Sequence, residues 1–282
     1  MARIAVFGGA NMDILGMPQG ELRLRDSNIG HIELRPGGVG RNIAEQVVRL
    51  GAECTLLTVF GTDAMADTLC AGCARLGIDI SHALTAEGST CVYLCVHDAA
   101  GDMLAAINDM GLMGALTPAY ARQCMDVING ADVCVLDANP AAETLAEIVR
   151  LAAVPVLLDP VSIAKLERVR PLLPFLTAIK PNIHEARALT GCQTAEECAR
   201  ALVQAGVRKV FVSLGAEGLC CADETVCTVL PVRRPSEAAK TGAGDALCAG
   251  LAVALAAGEH TIACAEYGMR CAEAFLQQVE EI

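Results

Sequence analysis

The chain has 282 residues, 54% of them hydrophobic, which is enough apolar mass for one large α/β domain or two small ones. Its net charge of -12, its 3% aromatic content and its lack of tryptophan argue against nucleic-acid binding, which calls for a basic surface and stacking rings. No apolar run is long and continuous enough to span a bilayer, and Met1-Ala2-Arg3 leads into a short apolar strand rather than a signal peptide, so the cytoplasm is the expected compartment.

Ile4–Phe7 is the first predicted strand, and it runs into Gly8-Gly9-Ala10-Asn11-Met12-Asp13. Asp13 thus falls just past a strand end, where ligands of open α/β sheets bind, although a plain turn aspartate fits there equally well. Residues 15–34 break the pattern and read as a β-rich insertion. Next comes Pro36-Gly37-Gly38-Val39-Gly40-Arg41-Asn42, with a predicted helix over Arg41–Leu50. Glycines there admit a ligand close to the backbone, and Asn42 offers a donor and an acceptor to sugar hydroxyls. A dinucleotide fingerprint fails on context, because that glycine loop should follow the first strand directly.

Cys54–Phe60 is the next predicted strand and Ala64–Leu76 the next helix. A second β-rich insertion covers residues 90–112, with a turn at Asp98–Asp102. Beyond it, strands at Val133–Leu136, Val154–Leu158, Ala178–Lys180 and Val210–Ser213 alternate with helices at Ala141–Ala153, Ile183–Thr190 and Ala195–Ala205. This alternation predicts a parallel sheet with helices on both faces. No repeat or linker interrupts it, so one domain over residues 1–282 with two insertions is the economical organisation. The fifteen cysteines are scattered, and Cys70-Ala71-Gly72-Cys73 has no second pair at zinc spacing, so they read as buried structural thiols.

Near the end, Thr241-Gly242-Ala243-Gly244-Asp245-Ala246 precedes an alanine-rich run, Leu247 to Ala257, that reads as a helix. Small residues ahead of a helix leave its first N–H groups open, which makes a socket for an anion. An aspartate repels phosphate, so its presence there makes sense as a base for an alcohol that attacks phosphorus. An ordinary loop with an N-cap aspartate is the alternative.

Taken in order, Gly37-Gly38-Val39-Gly40-Arg41-Asn42, Lys180-Pro181-Asn182-Ile183-His184-Glu185, Ser213-Leu214-Gly215-Ala216-Glu217-Gly218 and Thr241-Gly242-Ala243-Gly244-Asp245 resemble the motifs of the ribokinase-like (PfkB) carbohydrate and nucleoside kinases. The resemblance runs from Ile4 to about Leu276. It implies an α/β fold, a ribokinase-like three-layer sandwich with a mainly parallel central sheet. The two insertions then form a small β lid that covers the sugar site and often carries a homodimer contact. The implied cofactors are ATP and Mg²⁺. Asp26–Gly30, Pro36–Glu45, Ala106–Met110 and Val154–Ser162 resemble the pseudouridine-phosphorylating members, which implies transfer to the 5′-hydroxyl of that nucleoside.

The resemblance also implies roles. Asp245 is the base, with Gly242, Ala243 and Gly244 as the anion hole. Asn11, Asp13, Gly37, Gly38 and Asn42 hold the acceptor sugar. Ser27, Asn28, Asn108 and Asp109 are the lid polar groups for the base of the nucleoside, and Asn139 and Lys165 are further substrate candidates. Asn182 and Glu185 face the phosphates and Mg²⁺, Glu185 through water. Ser213, Gly215, Gly218 and Thr241 contact the nucleotide, and Met269 either lines the adenine pocket or is plain core. One segment departs from the family pattern. In Ser236-Glu237-Ala238-Ala239-Lys240-Thr241, Ala239 stands where an oxygen-bearing side chain usually helps to bind potassium, so weak potassium activation is expected, with Lys240 in place of the cation. Two other functions stay open: a kinase of the same fold for another ribonucleoside, ribose or a sugar phosphate, and a non-catalytic ligand-binding protein.

Overall fold

In the computed structural model, which describes residues 1–232 and 242–280, the strands are β1 (Arg3–Phe7), β2 (Asn11–Pro18), β3 (Gly30–Gly37), β4 (Glu53–Leu57), β5 (Val59–Phe60), β6 (Leu84–Thr85), β7 (Val92–His97), β8 (Met103–Asp109), β9 (Val133–Asp137), β10 (Val156–Asp159), β11 (Ala178–Ile179), β12 (Lys209–Ser213), β13 (Leu219–Ala222) and β14 (Cys227–Leu230). The helices are α1 (Val39–Arg49), α2 (Ala64–Leu76), α3 (Pro118–Gln123), α4 (Met125–Gly130), α5 (Ala142–Leu151), α6 (Leu166–Val169), α7 (Ile183–Thr190), α8 (Ala195–Gln204), α9 (Ala243–Ala256) and α10 (Thr261–Glu280). The sequence positions 239, 240 and 241, on which the potassium and Thr241 expectations rest, lie outside the described residues.

The central sheet has the order β14-β13-β12-β11-β10-β9-β1-β4. Pairing is parallel from β4 to β12 and antiparallel at β13 and β14. Alternate residues of each central strand enter different cores. Ile4 and Val6 of β1 join Val133 and Val135 of β9 on one face, while Ala5, Phe7, Cys134 and Leu136 go to the other. A strand buried on both faces reads as an unbroken apolar run, which is what these segments show. Helices α1, α2, α9 and α10 cover the first face, and α3 to α8 cover the second. The result is the expected three-layer α/β sandwich.

The two insertions meet as one small sheet of order β3-β2-β7-β8. Here β2 pairs antiparallel with β3 and parallel with β7, and β7 pairs antiparallel with β8. The sequence put Asp13 in a loop after the first strand. It lies instead inside β2, which begins at Asn11 after only Gly8, Gly9 and Ala10. The helix expected at Leu247 begins at Ala243, so Asp245 stands in its first turn rather than ahead of it. The β13–β14 hairpin was not read from sequence, because four-residue apolar runs are too short to show a period. Pairing to β12 makes them strands.

Candidate active site

The carboxyl ends of β1, β9 and β10 open toward the start of α1. Asp137 ends β9 and is fully buried. Its Oδ2 accepts the N–H groups of Gly9 and Gly40, each at 2.8 Å, and both N–H sources of Asn139 donate to the same carboxylate at 2.9 Å. One side chain thus ties the β1–β2 connection, the first turn of α1 and the loop after β9 together. Gly38, at φ 95°, is the N-cap of α1. A Cβ there would stand 2.5 Å from the Gly9 carbonyl oxygen, so only glycine lets the helix start this close to the β1–β2 turn.

β2 sets Asp13 opposite Arg35 of β3 and Tyr93 of β7, and Tyr93 opposite Asn108 of β8. Opposed residues share a sheet face, so these four side chains form one polar strip. Asn11, buried, donates to Asp13 Oδ1 at 2.6 Å, and Gly37 packs directly on the carboxylate. Burial pushes the Asp13 carboxyl up, while Asn11 and the Arg41 and Arg35 guanidinium groups pull it back.

Asp245 comes to this place from the opposite end of the chain. Gly242 caps α9 at φ 106° with the Phe275 ring beneath it, where a Cβ would lie 2.7 Å from the ring. The first helical bonds run from Asp245 and Ala246 back to the Gly242 carbonyl. The N–H groups of Ala243 and Gly244 therefore stand ahead of the ladder, at the positive end of the helix. Asn42 of α1 donates from Nδ2 to Asp245 Oδ2 at 3.0 Å. That contact joins the two glycine motifs across 203 residues of sequence.

Burial, with Asp159 and Asp137 close by, raises the Asp245 carboxyl to about 7, while Lys180 and Asn42 moderate the rise. Lys180 follows β11, and its Nζ holds Asp159 Oδ2 at 2.9 Å with both side chains under one-tenth exposed. Burial works against that ammonium, but Asp159 and, more weakly, Asp245 keep its proton more tightly bound than in an ordinary lysine. Its Nζ also lies 3.4 Å from the Cβ position of Gly244, which places a fixed positive charge beside the start of α9. Val161, two residues past Asp159, is held at φ 67°, rare for a β-branched residue, and its N–H donates to Asp159 Oδ1 at 2.8 Å.

Asn182 and Glu185 form a capping box on α7. Asn182 Oδ1 accepts the Glu185 N–H at 2.9 Å, and Glu185 Oε2 accepts the Asn182 N–H at 2.8 Å. Glu185 is buried rather than solvated; burial and the neighbouring Asp159 raise its carboxyl, against the pull of the Asn182 N–H and Lys180. Ser213 donates its N–H to the Pro181 carbonyl at 2.9 Å, beside a bridge between Ser213 and Asn182. Gly215 and Gly218 make the turn into β13, and Gly218 backs onto Leu230 of β14. Leu230 and Pro231 line a cavity of about 160 Å³ together with Met269, Glu266, Arg270 and Glu273 of α10. Met269 therefore faces a cavity on this edge of the sheet.

Two further expectations meet the same site. Lys165 hydrogen-bonds Asn139 Oδ1 through its Nζ, and burial pushes its ammonium down while the Asp137 charge pulls it up. Arg168 holds the backbone carbonyls of Ala138, Asn139 and Pro140. The four lid residues divide, with Asn108 on the face of Asp13 and Ser27, Asn28 and Asp109 elsewhere. Ser27 and Asn28 lie exposed in the β2–β3 turn, and Asn28 is spent on Arg23 and Asp26 of that same turn. Five residues of strand rise, ~17 Å, separate Asp13 from the end of β2, so the turn is remote from Asp13. Asn108 and Asp109 are neighbours on one strand and point to opposite faces; only Asn108 shares the face of Asp13. Sequence reading missed Asp137, Asp159 and Lys180 as site residues. Charged residues ending apolar strands were the signal available for them.

The model of the pfkB family carbohydrate kinases matches residues 1–282. The pseudouridine kinase of Escherichia coli strain K12 is 37% identical over 259 residues, covering 88% of this chain and 82% of that protein. The structure of a carbohydrate kinase from Agrobacterium tumefaciens superposes with a TM-score of 0.86 at 27% identity, covering 98% and 91% of the two chains. Arabidopsis thaliana ribokinase complexed with ribose and ATP has the same fold, with a TM-score of 0.84 at 22% identity over 96% of this chain and 92% of that one. The chain belongs to the pfkB family of carbohydrate kinases, and it is a phosphotransferase acting on a hydroxyl of a nucleoside or sugar.

Proposed function

We propose that the chain transfers the γ-phosphoryl group of ATP to the 5′-hydroxyl of pseudouridine. The Asn42–Asp245 contact at 3.0 Å carries this reading, because it sets a half-buried carboxylate in the first turn of α9 beside the α1 glycine motif. The identity to a pseudouridine kinase over most of both chains supports the acceptor. Asp245 takes the proton of the attacking hydroxyl, and a base near pH 7 suits that task. Gly242, Ala243 and Gly244 turn backbone N–H groups to the charge that builds on the phosphoryl oxygens. Asp13 and Asn11 hold sugar hydroxyls. Asn108, Lys165 and Asn139 face the rest of the acceptor. Ser213, Gly215, Gly218 and Met269 bound the nucleotide on the far side of the sheet.

Among the described residues, no group of three or more His, Cys, Asp or Glu side chains could cage a metal ion. The donor set fits Mg²⁺ that arrives on the nucleotide phosphates with most of its waters, near Glu185 and Asn182. The metal supplies charge neutralisation between the phosphates. Potassium activation is proposed to be weak, on the sequence of 236–241; a rate that rises roughly tenfold or more with added potassium contradicts it. Among the described residues no helix is long and apolar enough to cross a membrane. All fifteen cysteines are free, which suits the cytoplasm proposed here.

The deciding experiment is an acceptor screen with purified protein and ATP. Pseudouridine should give the highest kcat/KM among pseudouridine, uridine, inosine, ribose and fructose 6-phosphate. Pseudouridine performing no better than ribose removes the assignment.

A further inference from the structure

One cation in the acceptor pocket has no part in the reaction described so far. Arg41 is buried in the first turn of α1. Its Nη1 donates to the Pro36 carbonyl at 3.2 Å and to Asn42 Oδ1 at 2.8 Å. Its Nη2 pairs with Glu45 one turn along, and Glu45 also holds Arg49. Asp13 of β2 and Cys73 of α2 face the same guanidinium. Asn42 passes the contact on, since its Nδ2 donates to Asp245 Oδ2 at 3.0 Å. The result is an unbroken chain of polar contacts, Glu45 to Arg41 to Asn42 to Asp245.

A side-chain amide has two orientations, and this chain selects one of them. With Oδ1 toward the guanidinium and Nδ2 toward the carboxylate, both contacts attract. Turned by half a rotation, the amide would set NH₂ against a cation and C=O against an anion, and both would repel. A charge on either side makes the choice one-sided, and charge-assisted bonds are the stronger kind.

We propose that Arg41 is a positioning residue for phosphoryl transfer: through Asn42 it fixes the N–H that holds Asp245 Oδ2, leaving Oδ1 turned to the acceptor hydroxyl. The inference rests on Asp245 being the base. It accounts for an ion pair between the buried Arg41 and the half-buried Glu45 on a helix whose other inner-face residues are Gly40, Ile43, Ala44 and Val47.

Asp245 is also faced by Asp137 of β9, Asp159 of β10, Lys180 after β11 and Cys248 of α9. Burial and the two aspartates push its carboxyl up, and Lys180 and Asn42 push it down. Removing the guanidinium frees the Asn42 amide to turn, which weakens the last of these. The base should then titrate at higher pH.

The test uses the full chain with ATP and the acceptor that the wild type phosphorylates best, pseudouridine first. The variants are Arg41→Met, Arg41→Lys, Glu45→Gln, Asn42→Ala and the double Arg41→Met/Asn42→Ala. Arg41→Met and Asn42→Ala should each lower kcat by roughly tenfold or more and move the pH midpoint of the kcat profile upward. Glu45→Gln, which loosens the guanidinium from behind, should move the midpoint in the same direction by less, and it keeps the test open if Arg41→Met does not fold. Arg41→Lys keeps the charge without the fork and should recover part of the loss. The double variant should be no worse than Asn42→Ala alone, as for residues acting in series. The proposal is overturned if Arg41→Met and Glu45→Gln change only KM or Tm while the midpoint stays, or if the losses in the double variant multiply. A wild type that phosphorylates no acceptor, or an Asp245→Asn variant at full turnover, overturns the functional reading and this inference with it.

Discussion

Asp245 carries its charge where burial disfavours it, and function and stability therefore pull in opposite directions at this residue. Its folded value near 7 lies above the ordinary carboxylic range. For turnover, kcat/KM should rise with unit slope below about pH 7 and level off above it, as for a base that must lose one proton. A profile flat across about pH 5 to 8 contradicts the role. For stability the sign is the reverse. A raised carboxyl contributes stability that is complete below about pH 4 and is lost as pH rises through about 7. Asp245→Asn should thus cut turnover by roughly 10²- to 10⁴-fold with nucleotide binding kept. It should also melt above the wild type at alkaline pH, with the two melting points converging in acid. Scanning calorimetry across pH reads the second effect. The Asp and its glycine neighbours were legible in sequence because helix termini and bases use a small set of residue types. Lys180 and Asp159 were not, since nothing in a linear chain shows that two strand ends will meet at 2.9 Å.

Elements place these residues, and caps place the elements. Gly38 opens α1 in a conformation that side chains rarely adopt, with the Gly9 carbonyl pressed against it. Gly38→Ala should cost about 1–3 kcal/mol by backbone strain alone, read as a drop in the denaturant midpoint. An unchanged midpoint would mean that α1 does not abut the β1–β2 turn. The spacing of Asn182 and Glu185 shows how one pattern carries two meanings. Three residues apart at a helix start, they suggested a shared ligand face, and they do form a capping box. Their remaining oxygen and amide are what a nucleotide could meet. Helix α9 shows the converse: its apolar run was plain from Leu247, but Ala243 to Ala246 joined it only because Gly242 turns the chain above Phe275.

At the scale of the whole molecule, the small sheet has two unlike faces. One carries Asp13, Arg35, Tyr93 and Asn108. The other carries Ile32, Leu34 and Ile107, which are 66%, 55% and 66% exposed. We propose that a second copy of the chain covers this apolar face, which water otherwise meets at a cost of ~25 cal/mol per Å². Ile32→Asp with Ile107→Asp should then sediment as a monomer while the wild type sediments as a dimer. A monomeric wild type at micromolar concentration rules the face out as a self-contact.

The sequence by itself determined the layers and the chemistry. Runs apolar on both faces demand cover from helices on each side, and glycine motifs with an aspartate at a helix start suit phosphoryl transfer. Only the tertiary structure decided which residues meet. It brought Asn42 to Asp245, buried Lys180 on Asp159, set Asn108 rather than Asp109 on the face of Asp13, and left Ser27 and Asn28 at a distant turn. Local propensity and periodicity are properties of neighbours in the chain, whereas burial, charge pairing and strand register depend on segments far apart in it.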